Sequence, residues 1–473
     1  MTLGLPVIRP EIYLAVASLF LLLYGAYKAP KANVTLVLVS ALMLALTGYL
    51  AYDGGAAPQV IFSGMFVSNA FTLFVKILII AAAILALMLA SGWLSAGEGR
   101  PFEYCVLLML ATLGMMLMVS SGTLLALYMS IELMSLALYV LAAFDRDDKK
   151  SAEAGLKYFV LGSLASGMIL FGASLVYGFA GTISFDGLAL LFSQSVEISR
   201  AVIVGLIFVM VGFCFKISAA PFHMWAPDVY EGAPTPVTAF FATAPKVAAF
   251  ALFARILYEP FAELHLQWQQ VVIAASLLSM AVGALAAIVQ SNIKRLLAYS
   301  SIGHVGFLLL GIASFSPLGV QAMLVYLTLY VFMSAGMFGC VLMAGREQIK
   351  DFAGLAKTNP LLAAAISVFM FAMAGIPPMS GFFGKMLVLL AAVDAGLVWL
   401  AVAAVIASVV GAYYYIRIVK VMYFDEPAEW PMAKTSPLVV AATVICTVVT
   451  LGFFLLPSPL MVAASAAAKL VVR

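Results

Sequence analysis

Charge is scarce in this chain. Of its 473 residues only 10% are Asp, Glu, Lys or Arg and 65% are hydrophobic, against roughly 25% charged in soluble domains, so a soluble globular fold is excluded. The net charge of +3 is small and the basic residues are scattered, which leaves no surface for nucleic acid. The three histidines, His223, His265 and His304, do not supply the paired ligands of an intramembrane haem. Cys105, Cys214, Cys340 and Cys446 lie inside apolar spans without CxxC or zinc-like spacing and read as small buried hydrophobes. No glycine-rich phosphate loop follows a strand. The expectation is a chain with no metal and no redox cofactor of its own. The first apolar span, Ile12 to Tyr27, has no small-residue cleavage site before its KAPK flank and is expected to be a retained helix.

What the chain has is one apolar run after another. Spans near 11–29, 33–52, 70–94, 103–120, 122–143, 156–180, 201–220, 236–258, 270–290, 296–314, 320–344, 360–393, 396–424 and 437–457 predict an all-α polytopic membrane protein of about fourteen transmembrane helices. Pro221 ends the seventh span and Pro377-Pro378 interrupts the twelfth. Proline lacks an N–H and clashes with a carbonyl one turn back, so both helices should break in mid-membrane and expose half-helix ends that suit ions and water.

Lys28, Lys31, Arg100, Arg146, Lys149, Lys150, Lys294, Arg295, Arg346, Lys350, Lys357, Arg417, Lys420 and Lys434 fall on one face, and the other keeps few, such as Arg9, Arg200 and Arg255. The richer face is expected in the cytoplasm, with both termini in the periplasm. The absence of a transit peptide points to a bacterial inner membrane. An internal repeat is visible: LLALYMSIEL at 124–133 resembles LLAYSSIGHV at 296–305 with one gap, and the proline break recurs at a similar offset. Two copies of about five helices each follow, and an odd number inverts the second relative to the first.

Charges inside the spans are few. Lys216 stands five positions before Pro221 and Lys246 follows Pro245; Glu132 sits inside the fifth span and Lys385 beyond the second break. A charge at the bilayer centre costs about 2.5–3.5 kcal/mol on insertion scales, so these four are expected to be functional. Proton relay is the chemistry they fit. Burial disfavours an ammonium and a nearby carboxylate restores it, so moving Glu132 toward or away from Lys216 would load or release a proton. His304 and His223 read equally as relay members or as residues bonded to a neighbouring helix. Lys157 either joins the relay or pairs with Glu153 four residues earlier. Lys76 reads as a lysine that snorkels from a helix end, and Glu103 and Asp394 read as interfacial.

The segments FKISAAPFHMWAPDVYEGAPTPVTAFFATAPKVAAF, KYFVLGSLASGMILFG, NIKRLLAYSSIGHVGFLLLG and AGIPPMSGFFGKM resemble the proton-translocating subunit N family of bacterial NADH-quinone oxidoreductase, respiratory complex I. The resemblance covers roughly residues 100 to 420. It implies an antiporter-like fold of two inverted five-helix bundles, each with a broken helix, divided as 1–102 (helices 1–3), 103–258 (first repeat), 259–424 (second repeat) and 425–473 (helix 14). By resemblance Glu132, Lys216, Lys246 and Lys385 take the family's relay positions, and Lys157 and His304 fall on polar positions of its central axis. NADH, FMN, iron–sulfur clusters and quinone would belong to partner subunits, namely antiporter-like siblings and small helical subunits, with membrane lipids around them. Lysine rather than glutamate in the second broken helix separates the chain from subunit M. The lack of room for a lateral helix after the fourteenth separates it from subunit L. A cation/proton antiporter subunit is the alternative, and a structural scaffold held by buried charges a third reading.

Overall fold

The computed structural model describes residues 5–28, 34–55, 57–95, 101–194, 198–427 and 435–471. Three helices lead: α1 (Leu5–Lys28), α2 (Val34–Asp53) and α3 (Ala70–Ser95), with a short antiparallel hairpin, β1 (Gln59–Ile61) and β2 (Phe66–Ser68), between the last two. A first bundle follows, made of α4 (Pro101–Val119), α5 (Leu124–Ala142), α6 (Lys149–Ala180), the short α7 (Phe185–Gln194), α8 (Arg200–Lys216), α9 (Trp225–Gly232), α10 (Thr235–Phe241) and α11 (Ala244–Tyr258). The second holds α12 (His265–Ile288), α13 (Ile293–Ala313), α14 (Pro317–Ala344), the single turn α15 (Leu355–Thr358), α16 (Pro360–Ala374), α17 (Ser380–Asp394) and α18 (Val398–Phe424). Helices α19 (Pro437–Gly452) and α20 (Ser458–Ala468) close the chain.

Among the described residues 11 helices are long and apolar enough to cross a membrane, α10 and α11 counting as one. The seventh, twelfth and fourteenth crossings are each made of two shorter pieces: α8 with α9, α16 with α17, and α19 with α20. The expected fourteen spans are therefore present. A helix that is apolar all round belongs inside a bundle, and Thr235–Tyr258 is such a segment: it is buried along its whole apolar window, whereas only 33% of the window is buried in α1 and in α18. Lys246 thus lies on the innermost span.

Hydrogen bonds between helix ends establish the inversion. Arg255, at the end of α11, donates to the carbonyls of Val119 and Ser121 at the end of α4 (2.7 and 2.9 Å). The ends of α4 and α11 therefore share one face, and α12 begins there seven residues after α11, so it runs opposite to α4. At the other face Lys294, opening α13, donates to Ala233 O beside the start of α10 (2.7 Å). Arg9 of α1 pairs with Asp53 (2.6 Å), and Val67 of the hairpin donates to Ser120 O (2.8 Å). Gln321 of α14 donates to Met461 O (3.2 Å), and Tyr258 OH to Ile312 O (2.7 Å). The first and last helices consequently start and finish on the same face. Of the cations expected on the opposite face, Lys31, Arg100, Lys434 and the side chain of Lys28 lie outside the described residues.

Three expectations need correction. The eighth span is interrupted at Ala242-Thr243, because Pro245 in the first turn of α11 offers no N–H to continue α10; Thr243 Oγ1 instead caps Ala239 O (2.9 Å). The fourteenth span does not end at 457: Pro459 is tolerated in the first turn of α20, and the pair α19–α20 runs antiparallel along α14. The sixth helix starts at Lys149, not 156, with Asp148 as its cap accepting from Lys150 N (3.0 Å).

Candidate functional site

Each proline break leaves one half-helix whose last carbonyls have no intrahelical partner. In the first break Lys216 is the final residue of α8, Ser218 takes a left-handed φ of 62°, and Ser279 of α12 accepts from Ala220 N (2.8 Å). Lys246, facing it from α11, donates to Ile217 O at 3.1 Å and to Ser218 Oγ at 3.4 Å. In the second break Lys385 of α17 donates to Ala374 O, the last residue of α16, at 2.8 Å and to Ser408 Oγ of α18 at 2.9 Å, with the Phe307 ring 4.9 Å away. An ammonium at the negative end of a half-helix is favoured by the helix dipole, and both breaks use it.

Lys216 points away from the break toward α5 and α6, donating to Ser135 Oγ (2.8 Å), Ser166 Oγ (3.2 Å) and Tyr139 OH (3.3 Å). Ser135 and Tyr139 follow Glu132 at three and seven residues, one face of a helix. Lys216 is thus bonded to that face without closing on Glu132, whose Oε1 is buried with no hydrogen-bond partner.

His304 lies on α13 and lines, with Lys385, one small cavity. Its Nδ1 is 2.8 Å from Tyr326 OH and its Nε2 3.2 Å from Tyr415 OH, which in turn bonds Ser300 Oγ. A neutral imidazole donates from one nitrogen and accepts at the other, so a proton entering on one side can leave on the other. Between His304 and Lys385 lies a cavity of about 20 Å³ lined by Ser300, Tyr415 and Ser408, enough for one water.

Two other predicted residues sit off this line. Lys157 is 40% exposed and bonds Glu153 and Asp228, both at 2.7 Å. Asp228 also takes Arg295 (2.7 Å), which reaches Glu231 (3.2 Å), and these groups ring a cavity of about 180 Å³. Lys157 thus has its i,i+4 partner and a second one on α9. His223 occupies the turn of the first break, half-buried, with Nδ1 unpartnered and no hydrogen bond to any of the lysines. Among the described residues no three His, Cys, Asp or Glu gather as metal ligands.

Sequence reasoning missed the neutral partners. Ser135 and Tyr139 were readable from their spacing to Glu132; Ser166, Ser408, Tyr326, Tyr330 and Tyr415 carried no such signal. It also misjudged Lys76, which does not snorkel: it is 3% exposed and pairs with buried Glu11 at 2.6 Å, under the Phe66 ring at 4.8 Å.

Gly375 offers a test of how tightly Lys385 is held. Its φ is +86°, and an added Cβ would stand 2.9 Å from Lys385 Cδ, whereas Gly396 has φ +76° and open space. Both Gly→Ala changes incur the left-handed strain of roughly 1–2 kcal/mol. Gly375→Ala should lower the thermal midpoint further than Gly396→Ala, because only there must Lys385 leave its carbonyl. Equal midpoints would show that the side chain moves freely.

Residues 121–411 match the family described as NADH:quinone oxidoreductase/Mrp antiporter, TM. Over 469 residues the chain is 52% identical to NADH-quinone oxidoreductase subunit N of Rhodospirillum rubrum, covering 97% of this chain and 96% of that one. It is 50% identical to the protein of the same name from Paramagnetospirillum magneticum, covering 99% and 98%. A chain of respiratory complex I from Thermus thermophilus superposes with TM-score 0.83 at 33% identity, covering 97% and 99%. A chain of the Mrp complex from a Dietzia species superposes with TM-score 0.86 at 23% identity, covering 100% and 98%, a likeness of fold alone. With identity of this order sustained from end to end, the chain belongs to the subunit N family of NADH-quinone oxidoreductases.

Proposed function

We propose that this chain translocates protons as a membrane subunit of a bacterial NADH-quinone oxidoreductase, a translocase whose partner subunits oxidise NADH and reduce quinone. The observation that carries the reading is the ligand set of the three buried lysines at the helix breaks: Lys216, Lys246 and Lys385 are bonded to neutral oxygens. An ammonium locked in a buried ion pair resists change, because breaking such a pair costs about 3–5 kcal/mol. One held by hydroxyls and carbonyls can stand with or without its proton. Glu132 is the group whose approach to Lys216 or withdrawal from it would shift that balance, and His304 links Lys246 to Lys385. Lys157 and His223 serve at the margins of the axis.

On this reading FMN, iron–sulfur clusters, NADH and quinone reside in the partners, and the chain assembles with antiporter-like siblings and small helical subunits among membrane lipids. The Lys- and Arg-rich face lies in the cytoplasm and both termini in the periplasm of a bacterial inner membrane.

Cation–proton exchange is the competing reading. Carbonyls freed at a broken helix are where transporters bind sodium, and here Ile217 O and Ala374 O are already bonded to Lys246 and Lys385. The complex in proteoliposomes, supplied with NADH and quinone, should therefore build a pH gradient that survives removal of sodium and collapses with a protonophore. Sodium–proton exchange by the isolated chain would overturn the proposal in favour of the antiporter.

A further inference from the structure

Lys385 stands in the wall between two cavities. One is the pocket of about 20 Å³ that it shares with His304; the other has a volume of about 300 Å³, and Phe307, Lys385 and Ser408 line both. The larger cavity lies between α17 and α18, lined by Leu389, Leu390 and Val393 of the first and Val405 and Val409 of the second. Leu390, Val393, Val405 and Val409 are exposed on the outer surface of the chain, so the cavity is open to the side of the bundle. From Lys385 to Val393 is eight residues of helix, about 12 Å. Apart from Lys385 and Ser408 the lining is apolar, and its outer part offers water no side-chain partner, where a buried water needs two to four polar partners. The inner end holds one ammonium, 8% exposed, and one hydroxyl. An ammonium has three donors. Lys385 uses two of them on Ala374 O and Ser408 Oγ, and among the described residues no acceptor takes the third and no carboxylate pairs with the charge.

We propose that this cavity is an inhibitory binding site for a long-chain carboxylic acid, with the tail between α17 and α18 and the carboxylate on Lys385. A concave, largely apolar pocket with a few polar groups that fix orientation is the form of a small-molecule site, and about 300 Å³ is within the size range of such sites. A ligand that is apolar along its length and anionic at one end matches both ends of the cavity at once. The acid enters sideways from the lipid in its neutral form and transfers its proton to the Lys385 amine. Carboxylate and ammonium then form together, and no net charge is carried into the membrane. The lysine, otherwise held by neutral oxygens, becomes one half of a buried ion pair, which is much harder to separate, and it is drawn toward the larger cavity and away from His304. The binding follows from the cavity alone; the inhibition rests on the proton-translocating reading above.

The test is retention of radiolabelled oleate by the whole complex in phosphatidylcholine nanodiscs, with oleyl alcohol and acetate as competitors that carry the tail and the carboxylate separately. Saturable retention is expected, displaced by oleate and poorly by either competitor. Lys385→Met keeps the shape of the site and removes its charge, and should weaken retention at least about tenfold, the worth of a charge-assisted hydrogen bond. Val409→Phe fills the cavity from α18 without touching the proton axis and should lose retention while keeping normal NADH–quinone turnover. Oleate should slow that turnover in the unaltered complex but not in Val409→Phe, measured with a protonophore present so that no gradient remains for the acid to dissipate. Equal retention by the unaltered complex and both variants, displacement by oleyl alcohol as readily as by oleate, or equal inhibition of the unaltered complex and Val409→Phe would overturn the proposal. If Val409→Phe does not assemble, Leu390→Phe fills the same cavity from α17 and decides by the same outcomes. Retention lost in both variants while Lys385→Met still delivers a full proton yield would support the site and overturn the role of Lys385 in translocation.

Discussion

Lys246→Ala should yield a complex that assembles but loses proton delivery, or turnover coupled to it, when NADH reduces quinone. The side chain is 2% exposed on the most enclosed span, and among the described residues its ligands are Ile217 O and Ser218 Oγ at the first break. Truncation leaves one carbonyl at a half-helix end unsatisfied, a cost of about 1–3 kcal/mol that a fully buried span can absorb. It also removes the ammonium that faces the first break. Proton yield per NADH, with assembly checked on the same membranes, is the measurement. The scaffold reading expects the reverse, a complex that fails to assemble. A fully assembled variant with a full proton yield would take Lys246 off the path altogether.

The second large effect lies in the leading helices. Lys76→Met leaves the Glu11 carboxylate buried and unpaired, and losing one partner of a buried pair costs about 3–5 kcal/mol. A steep fall in the thermal midpoint is expected, with early protease cleavage in the first three helices. Glu11→Leu combined with Lys76→Met replaces both charges by apolar groups of similar size and should restore most of the midpoint, as buried pairs often exchange for hydrophobic residues at little cost. The double variant should also keep its proton yield, because α1 and α3 carry no member of the axis. A double variant no more stable than Lys76→Met would mean that the two charges are not coupled, and a stable one with a lowered yield would place the pair on a proton path.

Lys76 also marks where sequence reading runs out. Its position six residues into α3 is compatible with a side chain reaching the interface; the buried partner is 65 positions away on α1 and cannot be inferred from spacing. The case of Lys157 divides along the same line. Glu153 was visible at i,i+4, whereas Asp228 comes from a half-helix 71 positions on. Lys216 repeats it: a lone cation in an apolar run signals function, but that its ligands are Ser135 and Ser166, 81 and 50 positions away, is a matter of how α5, α6 and α8 cross. The fourteenth crossing continues past 457 because Pro459 lies in the first turn of α20, and proline stops a helix only from inside it.

What the sequence determined by itself is what hydropathy and backbone sterics encode within a turn or two. That covers the membrane class, the spans, the breaks at Pro221 and Pro377-Pro378, and the placement of Glu132, Lys216, Lys246, Lys385 and His304 too deep to be solvated. Only the tertiary structure decided that Lys246 and Lys385 cap opposite half-helices and that Lys216 is bonded to Ser135, Tyr139 and Ser166 rather than to Glu132. A buried charge takes whatever partner helix packing turns toward it, and that rotation is set by contacts among segments far apart in the chain.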